Sequence, residues 1–207
     1  MLSSVRFGSL LIYSPHGKSP GSKESHHTRD QIKRAAPRYL SRVAEVIPAH
    51  PAIAGMFGED VMLVPVPGSA RMHKGAIWTP ERLCQALVAR GLGSRVAPSV
   101  RRMYAVPKSA TSLSKDRPKA QQHYDSMGIE AQGVLAPPNR ILLVDDFVAR
   151  GATLIGACSR IVEAYPEADV RGFAAVRTMT GAEIDNMLSP VVGEIRLDAL
   201  GESHRAP

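Results

Sequence analysis

The chain has 207 residues, a length at which one hydrophobic core is the usual arrangement and two full domains are not expected. Its 44% hydrophobic and 22% charged residues are ordinary for a globular protein and argue against a disordered or fibrous chain. The formal charge of +7 favours an anionic ligand or a nucleic-acid partner, although the basic residues are scattered and form no long run.

The first 58 residues contain one predicted strand, one loop and one helix. Residues 5–13 are a predicted strand, and residues 14–28 are rich in Ser, Gly, Pro, Lys and His, which predicts a loop. Residues 29–47 have apolar residues three and four positions apart, which predicts an amphipathic helix that Pro37 either begins or kinks. We expect residues 1–58 to form a small N-terminal extension beside a core made of residues 59–207.

The next part of the chain predicts two strands, one helix and a long polar segment. Residues 61–66 are a strand, Thr79 is the expected N-cap of a helix, and residues 95–103 are a second strand. Residues 104–122 are polar and too long for an ordinary connection, so they are expected to be a lid or a disordered loop.

Residues 141–154, ILLVDDFVARGATL, are the most informative stretch. The apolar run 141–144 predicts a parallel strand that is buried on both faces. Asp145 and Asp146 are expected at its carboxyl end, where open α/β sheets bind ligands. Small side chains, backbone N–H groups and one hydroxyl follow at a helix start, which suits a phosphate. The alternative is an ordinary buried strand followed by an exposed acidic turn.

The end of the chain predicts a helix over residues 152–165 and a strand over 170–176, followed by a short helix over 179–188 and a strand over 191–197. We expect the last ten residues to be frayed. Cys84 and Cys158 lack a partner at metal-ligand spacing and are interpreted as reduced core residues. The apolar patch 9–13 is too short for a signal peptide or a membrane span, so a cytoplasmic protein without membrane attachment is expected.

The stretch 141–154 resembles the phosphoribosyl-pyrophosphate (PRPP) signature of type I phosphoribosyltransferases. The resemblance implies an α/β fold with a doubly wound, mainly parallel sheet and helices on both faces. It implies that Asp145 and Asp146 are the catalytic residues, which hold the ribose hydroxyls and Mg²⁺. It also implies that five residues wrap the 5-phosphate, namely Ala149, Arg150, Gly151, Ala152 and Thr153.

The resemblance assigns two further segments. The loop after the strand 61–66 would hold the pyrophosphate through Pro67, Gly68, Ser69, Arg71 and Lys74, with Gly68 allowing a positive φ. A lid over PRPP would include Arg102, Lys108, Ser109 and Arg117. From the residues alone, a plain turn into a helix and a solvated loop remain alternatives for these two segments.

Two residues of the signature differ from the family pattern. Arg150 replaces a usual Thr or Ser, which removes a hydroxyl and adds a cation that can bind phosphate. Ala149 replaces the acid of purine-salvage members, which argues against a purine base of that kind. The arginine pair, the polar span and the later HYDSM stretch loosely resemble the layout of the competence-associated, ComF-like branch.

The expected function is transfer of the phosphoribosyl group from PRPP to a nitrogen acceptor, with Mg²⁺ as cofactor and release of pyrophosphate, in a homodimer. Two alternatives remain open. One is a regulatory protein that senses PRPP or a nucleotide without turnover. The other is a protein with a nucleic-acid partner that acts in DNA uptake or nucleic-acid metabolism.

Overall fold

The computed structural model describes residues 1–13, 22–73, 75–107, 117–130, 138–178 and 190–206. Its strands are β1 Ser4–Tyr13, β2 Val61–Pro65, β3 Arg95–Val96, β4 Val100–Arg102, β5 Met127–Ile129, β6 Arg140–Val148, β7 Asp169–Thr178, β8 Val191–Leu197 and β9 Ser203–Ala206. Its α-helices are α1 Ser22–Lys33, α2 Pro37–Val46, α3 Pro51–Ala54, α4 Thr79–Val88, α5 Ala120–Asp125 and α6 Ala152–Ala164. Of the helices described, none is long and apolar enough to cross a membrane.

The strands form an α/β fold with one large sheet and one small sheet. Seven strands form the large sheet in the order β3-β2-β6-β7-β1-β8-β9. The first five in this order run parallel, whereas β8 and β9 pair in an antiparallel direction at one side. The antiparallel pair β4 and β5 forms the small sheet. The expected α/β class with a mainly parallel sheet is confirmed.

Strand β6 explains how the sheet is covered on both faces. Leu142 and Val144 belong to a buried cluster with side chains of α2 and α4, while Ile141 and Leu143 belong to a second cluster with side chains of α6. Alternating side chains of a strand point to opposite faces, so both faces of β6 require apolar residues. The predicted doubly buried strand is confirmed, and the acid pair directly follows its apolar run 141–144.

The N-terminal strand is part of the main sheet and not of an extension beside it. Strand β1 pairs in parallel with β7 and antiparallel with β8, so it lies inside the seven-stranded sheet. Helix α1 begins at Ser22, within the predicted loop 14–28. The chain then turns at Ala35, which has a φ of 51°, and Pro37 begins α2. The alternative in which Pro37 begins a helix is therefore confirmed.

Three further boundaries differ from the sequence prediction. Residues 95–103 form two short strands in different sheets, and Thr79 is the first residue of α4, with Trp78 as its N-cap. The end of the chain is not frayed over its last ten residues, because β9 pairs with β8. The predicted helix over 179–188 lies outside the described residues.

Candidate functional site

The strand order of the main sheet reverses between β2 and β6. From β2 the chain continues to β3 on one side, whereas β6 lies on the other side and leads to β7. In open α/β sheets, ligands bind beyond the carboxyl ends of the strands at such a switch point. The two strand ends are in contact here, since the N–H of Val66 donates to the carbonyl of Val144 at 2.9 Å. This edge of the sheet is the candidate site.

The acid pair lies within β6, two residues before the strand ends at Val148, and has one buried and one half-buried member. Asp145 is 9% exposed, and the N–H of Asp146 donates to its Oδ1 at 2.8 Å. Burial and the adjacent charge of Asp146 raise the pKa of Asp145 well above its ordinary value. The ionised pair is therefore favoured by a cation or by hydroxyl donors.

Gly151 shapes the turn between β6 and α6. It is the N-cap of α6 and has φ 93° and ψ 5°, a left-handed conformation that glycine adopts without strain. A Cβ at this position would lie 2.6 Å from Cδ1 of Ile195 in β8. The first N–H groups of a helix have no partner within it and carry its positive dipole end. Glycine thus brings an anion-binding helix start close to the acid pair.

The C-terminal hairpin of β8 and β9 contacts the same turn. Glu202 forms ion pairs with Arg150 and Lys119, each at 3.2 Å, and Nε of Arg205 donates to the carbonyl of Ala149 at 3.2 Å. The charge of Arg150 is therefore already paired with a carboxylate. The backbone N–H groups at the start of α6 are then better placed to bind an anion than the Arg150 side chain.

Arg102 links the loop after β2 to the small sheet. It is 5% exposed at the end of β4, its Nε donates to the carbonyl of Gly68 at 2.8 Å, and one terminal nitrogen donates to the hydroxyl of Ser126. Burial lowers the pKa of Arg102 to about 10, while the negative charge of Asp145 opposes this change. Arg102 is thus a fixed cation that holds the predicted pyrophosphate loop.

His123 of α5 extends this network to α6. It is 2% exposed, and its Nδ1 lies 3.4 Å from a terminal nitrogen of Arg102, while its Nε2 lies 3.4 Å from Oγ1 of Thr153. Burial, followed by the charge of Arg102, lowers the pKa of His123 to about 4, so the ring is neutral at neutral pH.

The neutral ring of His123 has a defined donor and a defined acceptor. Arg102 has only donors, so Nδ1 accepts and the proton resides on Nε2. The Nε2–H then donates to the oxygen of Thr153, and the hydroxyl hydrogen of Thr153 is left to donate to a ligand. A buried histidine therefore prepares Thr153 to bind an anion.

The structure brings together part of the predicted site. The contact between Val66 and Val144 joins the two parts, because Val66 precedes Pro67 and Val144 precedes the acid pair. Pro67 therefore lies close to Asp145, to Asp146 and to the turn from Ala149 to Thr153. Gly68 does not have the positive φ that we expected, and open space surrounds the position of a Cβ there. The carbonyl of Ser69 accepts from Val106 at 2.9 Å, and the side chain of Arg71 is exposed.

The expected lid is only partly described. Arg102 is buried in β4 and is an anchor rather than a lid residue, because its guanidinium is bound by the carbonyl of Gly68 and the hydroxyl of Ser126. Lys108, Ser109 and, in the pyrophosphate loop, Lys74 lie outside the described residues. Arg117 is described, with a half-buried side chain.

His123 and Ser126 were not predicted as site residues. The sequence indicates them only through the stretch HYDSM, residues 123–127. Its polar residues would be unusual in a helix whose sole role is to pack on a sheet. Their roles depend on a contact with Arg102, which is more than 20 positions away in the chain. Comparison of the sequence with protein-family models and with curated proteins finds no match in either case.

Proposed function

We propose that this protein is a phosphoribosyltransferase that binds PRPP and Mg²⁺ and transfers the phosphoribosyl group to a nitrogen acceptor, with release of pyrophosphate. The observation that carries the proposal is the meeting of a buried acid pair and a glycine-initiated helix start at one switch point of the sheet. Type I phosphoribosyltransferases, which the signature resembles, have the same combination.

Three neighbouring parts of the site suit the three parts of PRPP. The start of α6 and the hydroxyl of Thr153 donate hydrogen bonds to the 5-phosphate. Asp145 and Asp146 accept hydrogen bonds from the ribose hydroxyls. The loop from Pro67 to Arg71 receives the diphosphate, and Arg102 holds that loop through the carbonyl of Gly68.

The proposed reaction breaks the bond between C1 and the diphosphate oxygen and forms a bond between C1 and the acceptor nitrogen, which then loses a proton. The ribose becomes positively charged in the transition state, so nearby carboxylates stabilise it and fixed donors orient its phosphates. The Arg71 cation offsets negative charge that develops on the leaving diphosphate.

The acid pair fits a magnesium ion that arrives with PRPP. Within the described residues, no group of three or more His, Cys, Asp and Glu side chains could hold a metal. Mg²⁺ commonly binds one or two carboxylates together with substrate phosphates and water, and Asp145 and Asp146 offer such oxygens. When bound, Mg²⁺ would neutralise charge on the diphosphate.

The test is calorimetric binding of PRPP in the presence of Mg²⁺. For Asp145→Asn with Asp146→Asn, we expect a loss of affinity of about 100-fold or more, since two charge-assisted contacts are removed. The matched control is Asp60→Asn with Asp169→Asn, because these two carboxylates lie at the opposite, amino-terminal edge of the sheet. Equal PRPP affinity in the acid-pair variant and the wild type would contradict the proposal.

A PRPP-sensing protein without turnover is the second candidate. It is favoured by the ion pair between Arg150 and Glu202, because the C-terminal hairpin then restrains the turn that would bind the 5-phosphate. Incubation with PRPP, Mg²⁺ and a panel of bases separates the two candidates. A transferase releases pyrophosphate, whereas a sensor shows a ligand-dependent rise in Tm and no release.

The single substitution Asp145→Asn is expected to stabilise the ligand-free protein while weakening PRPP binding. The pKa of Asp145 is higher in the fold than in the unfolded chain, so the protonated carboxyl group favours folding. This stabilisation by the protonated form is lost as pH rises through the folded-state pKa. Asparagine removes the buried charge, and we expect a gain of roughly 1 kcal/mol at neutral pH, about 2–4 °C in Tm. Thermal unfolding at neutral pH measures it, and a lower Tm than the wild type would show that the charge is already compensated.

A further inference from the structure

A cleft lies beside the candidate site, between residues 67–73 with Trp78 on one side and the small sheet of β4 and β5 on the other. It has a volume of about 650 Å³. Its lining includes Arg102 and, from the proposed diphosphate loop, Pro67 and Arg71, but not Asp145, Asp146 or Thr153. Small-molecule sites usually enclose about 300–1,000 Å³, so the cleft has the size of a ligand site. Arg102 lies at the boundary between this cleft and the acid pair.

Trp78 and Arg101 place an aromatic ring beside a cation in this cleft. The indole Nε1 of Trp78 donates to the carbonyl of Val66 at 2.9 Å, which fixes the ring at the end of β2. The guanidinium carbon of Arg101 lies 5.5 Å from the centre of the Trp78 ring, and its Nε donates to Glu130 at 2.7 Å. Arg101 is thus held by an acceptor that a phosphate can replace.

Flexible apolar side chains complete the lining. Met72, Met103 and Ile129 contribute to the cleft, and Met103 is 50% exposed, so its side chain is accessible to a ligand. Methionine adapts its shape to flat ligands. The exposed side chains of Arg71 and His73 also line the cleft, and Glu130 is the one carboxylate among its described lining residues.

We propose that this cleft binds a nucleoside monophosphate. The phosphate binds Arg101 in place of Glu130, and the planar base packs against the methionine side chains beside Trp78. An aromatic group joined to a doubly charged anion matches both halves of the lining, whereas a simple inorganic anion would leave the apolar half without contacts. The anchors of this proposed site, Arg101 and Trp78, lie outside the residues assigned to PRPP, whereas Pro67 and Arg71 are shared with the proposed diphosphate loop.

Trp78 is the single tryptophan of the chain, so intrinsic fluorescence reports directly on this cleft. We expect AMP to change that fluorescence saturably, with the same affinity by calorimetry. Adenosine and pyrophosphate should each bind at least about 10-fold more weakly, since each supplies only half of the contacts. The acid-pair variant Asp145→Asn with Asp146→Asn should bind AMP like the wild type, which separates this proposal from the proposed transferase function.

Two substitutions with opposite effects test the assigned contacts. Arg101→Gln should weaken AMP binding about 10-fold or more, and Glu130→Gln should strengthen it by about 3-fold, because the competing carboxylate is gone. Arg42→Gln is the control, since it also removes an arginine that pairs with a glutamate, but in α2. Absence of AMP binding, or unchanged binding in Arg101→Gln, would overturn the proposal. Pyrophosphate affinity equal to that of AMP would also overturn the proposal, because it would indicate that the cleft binds the leaving group of the proposed transferase reaction.

Discussion

Replacement of Gly151 by alanine is expected to destabilise the protein by roughly 3 kcal/mol and to abolish the proposed binding of PRPP. The left-handed conformation, with φ 93°, costs a non-glycine residue about 1–2 kcal/mol. The added Cβ would also lie 2.6 Å from the buried Ile195, and such overpacking costs about 1–3 kcal/mol. Relief of either strain moves the start of α6, so the N–H groups that would bind the 5-phosphate are displaced.

Urea unfolding and PRPP calorimetry on three alanine variants would separate the two causes. Gly91 has a φ of 70° and no atom within 4 Å of a Cβ position, so Gly91→Ala measures backbone strain alone. Gly68 has neither a positive φ nor a neighbour within 4 Å, so Gly68→Ala should change stability by less than about 1 kcal/mol. If Gly151→Ala is no more destabilising than Gly91→Ala, the contact with Ile195 does not restrict the turn.

The part of the site that is local in sequence could be predicted from the sequence. Asp145, Asp146 and Gly151 lie within seven residues of one another, so strand burial, charge and turn chemistry can be interpreted together. Arg102 could not be interpreted correctly, because a cation just before a long polar segment resembles a lid residue. Its anchoring role depends on the carbonyl of Gly68, 34 positions earlier in the chain.

The strands also differ in whether their own residues or residues far away in the sequence determine their place in the sheet. The apolar run 141–144 requires apolar cover on both faces and therefore predicts an inner parallel strand. The sequence of β1 does not show that it joins the sheet between β7 and β8, because its partners are more than 150 positions away. Strand β9 has few apolar residues and is stabilised by pairing with β8, so its composition alone suggests a frayed end.

His123 is expected to make the protein less stable as pH falls from about 7 to about 4. Its pKa decreases from 6.5 in the unfolded chain to about 4 in the fold, so the unfolded chain binds more protons in this range. The contribution is fully present above the unfolded-state pKa and is lost as pH falls towards the folded-state value. The difference between the two pKa values corresponds to about 3 kcal/mol.

Urea unfolding of His123→Asn and the wild type across this range isolates the effect, because both proteins lose the same carboxylate contributions. We expect the free energies of unfolding of the two proteins to converge by about 3 kcal/mol between neutral and acidic pH. His73→Asn, at an exposed position, should follow the wild type throughout. Parallel curves for His123→Asn and the wild type would show that the ring does not remain neutral in the fold. Protonation would also place an Nδ1–H against Arg102, which would weaken the contact of Arg102 with the carbonyl of Gly68. The proposed binding of PRPP by the wild type should therefore weaken over the same pH range.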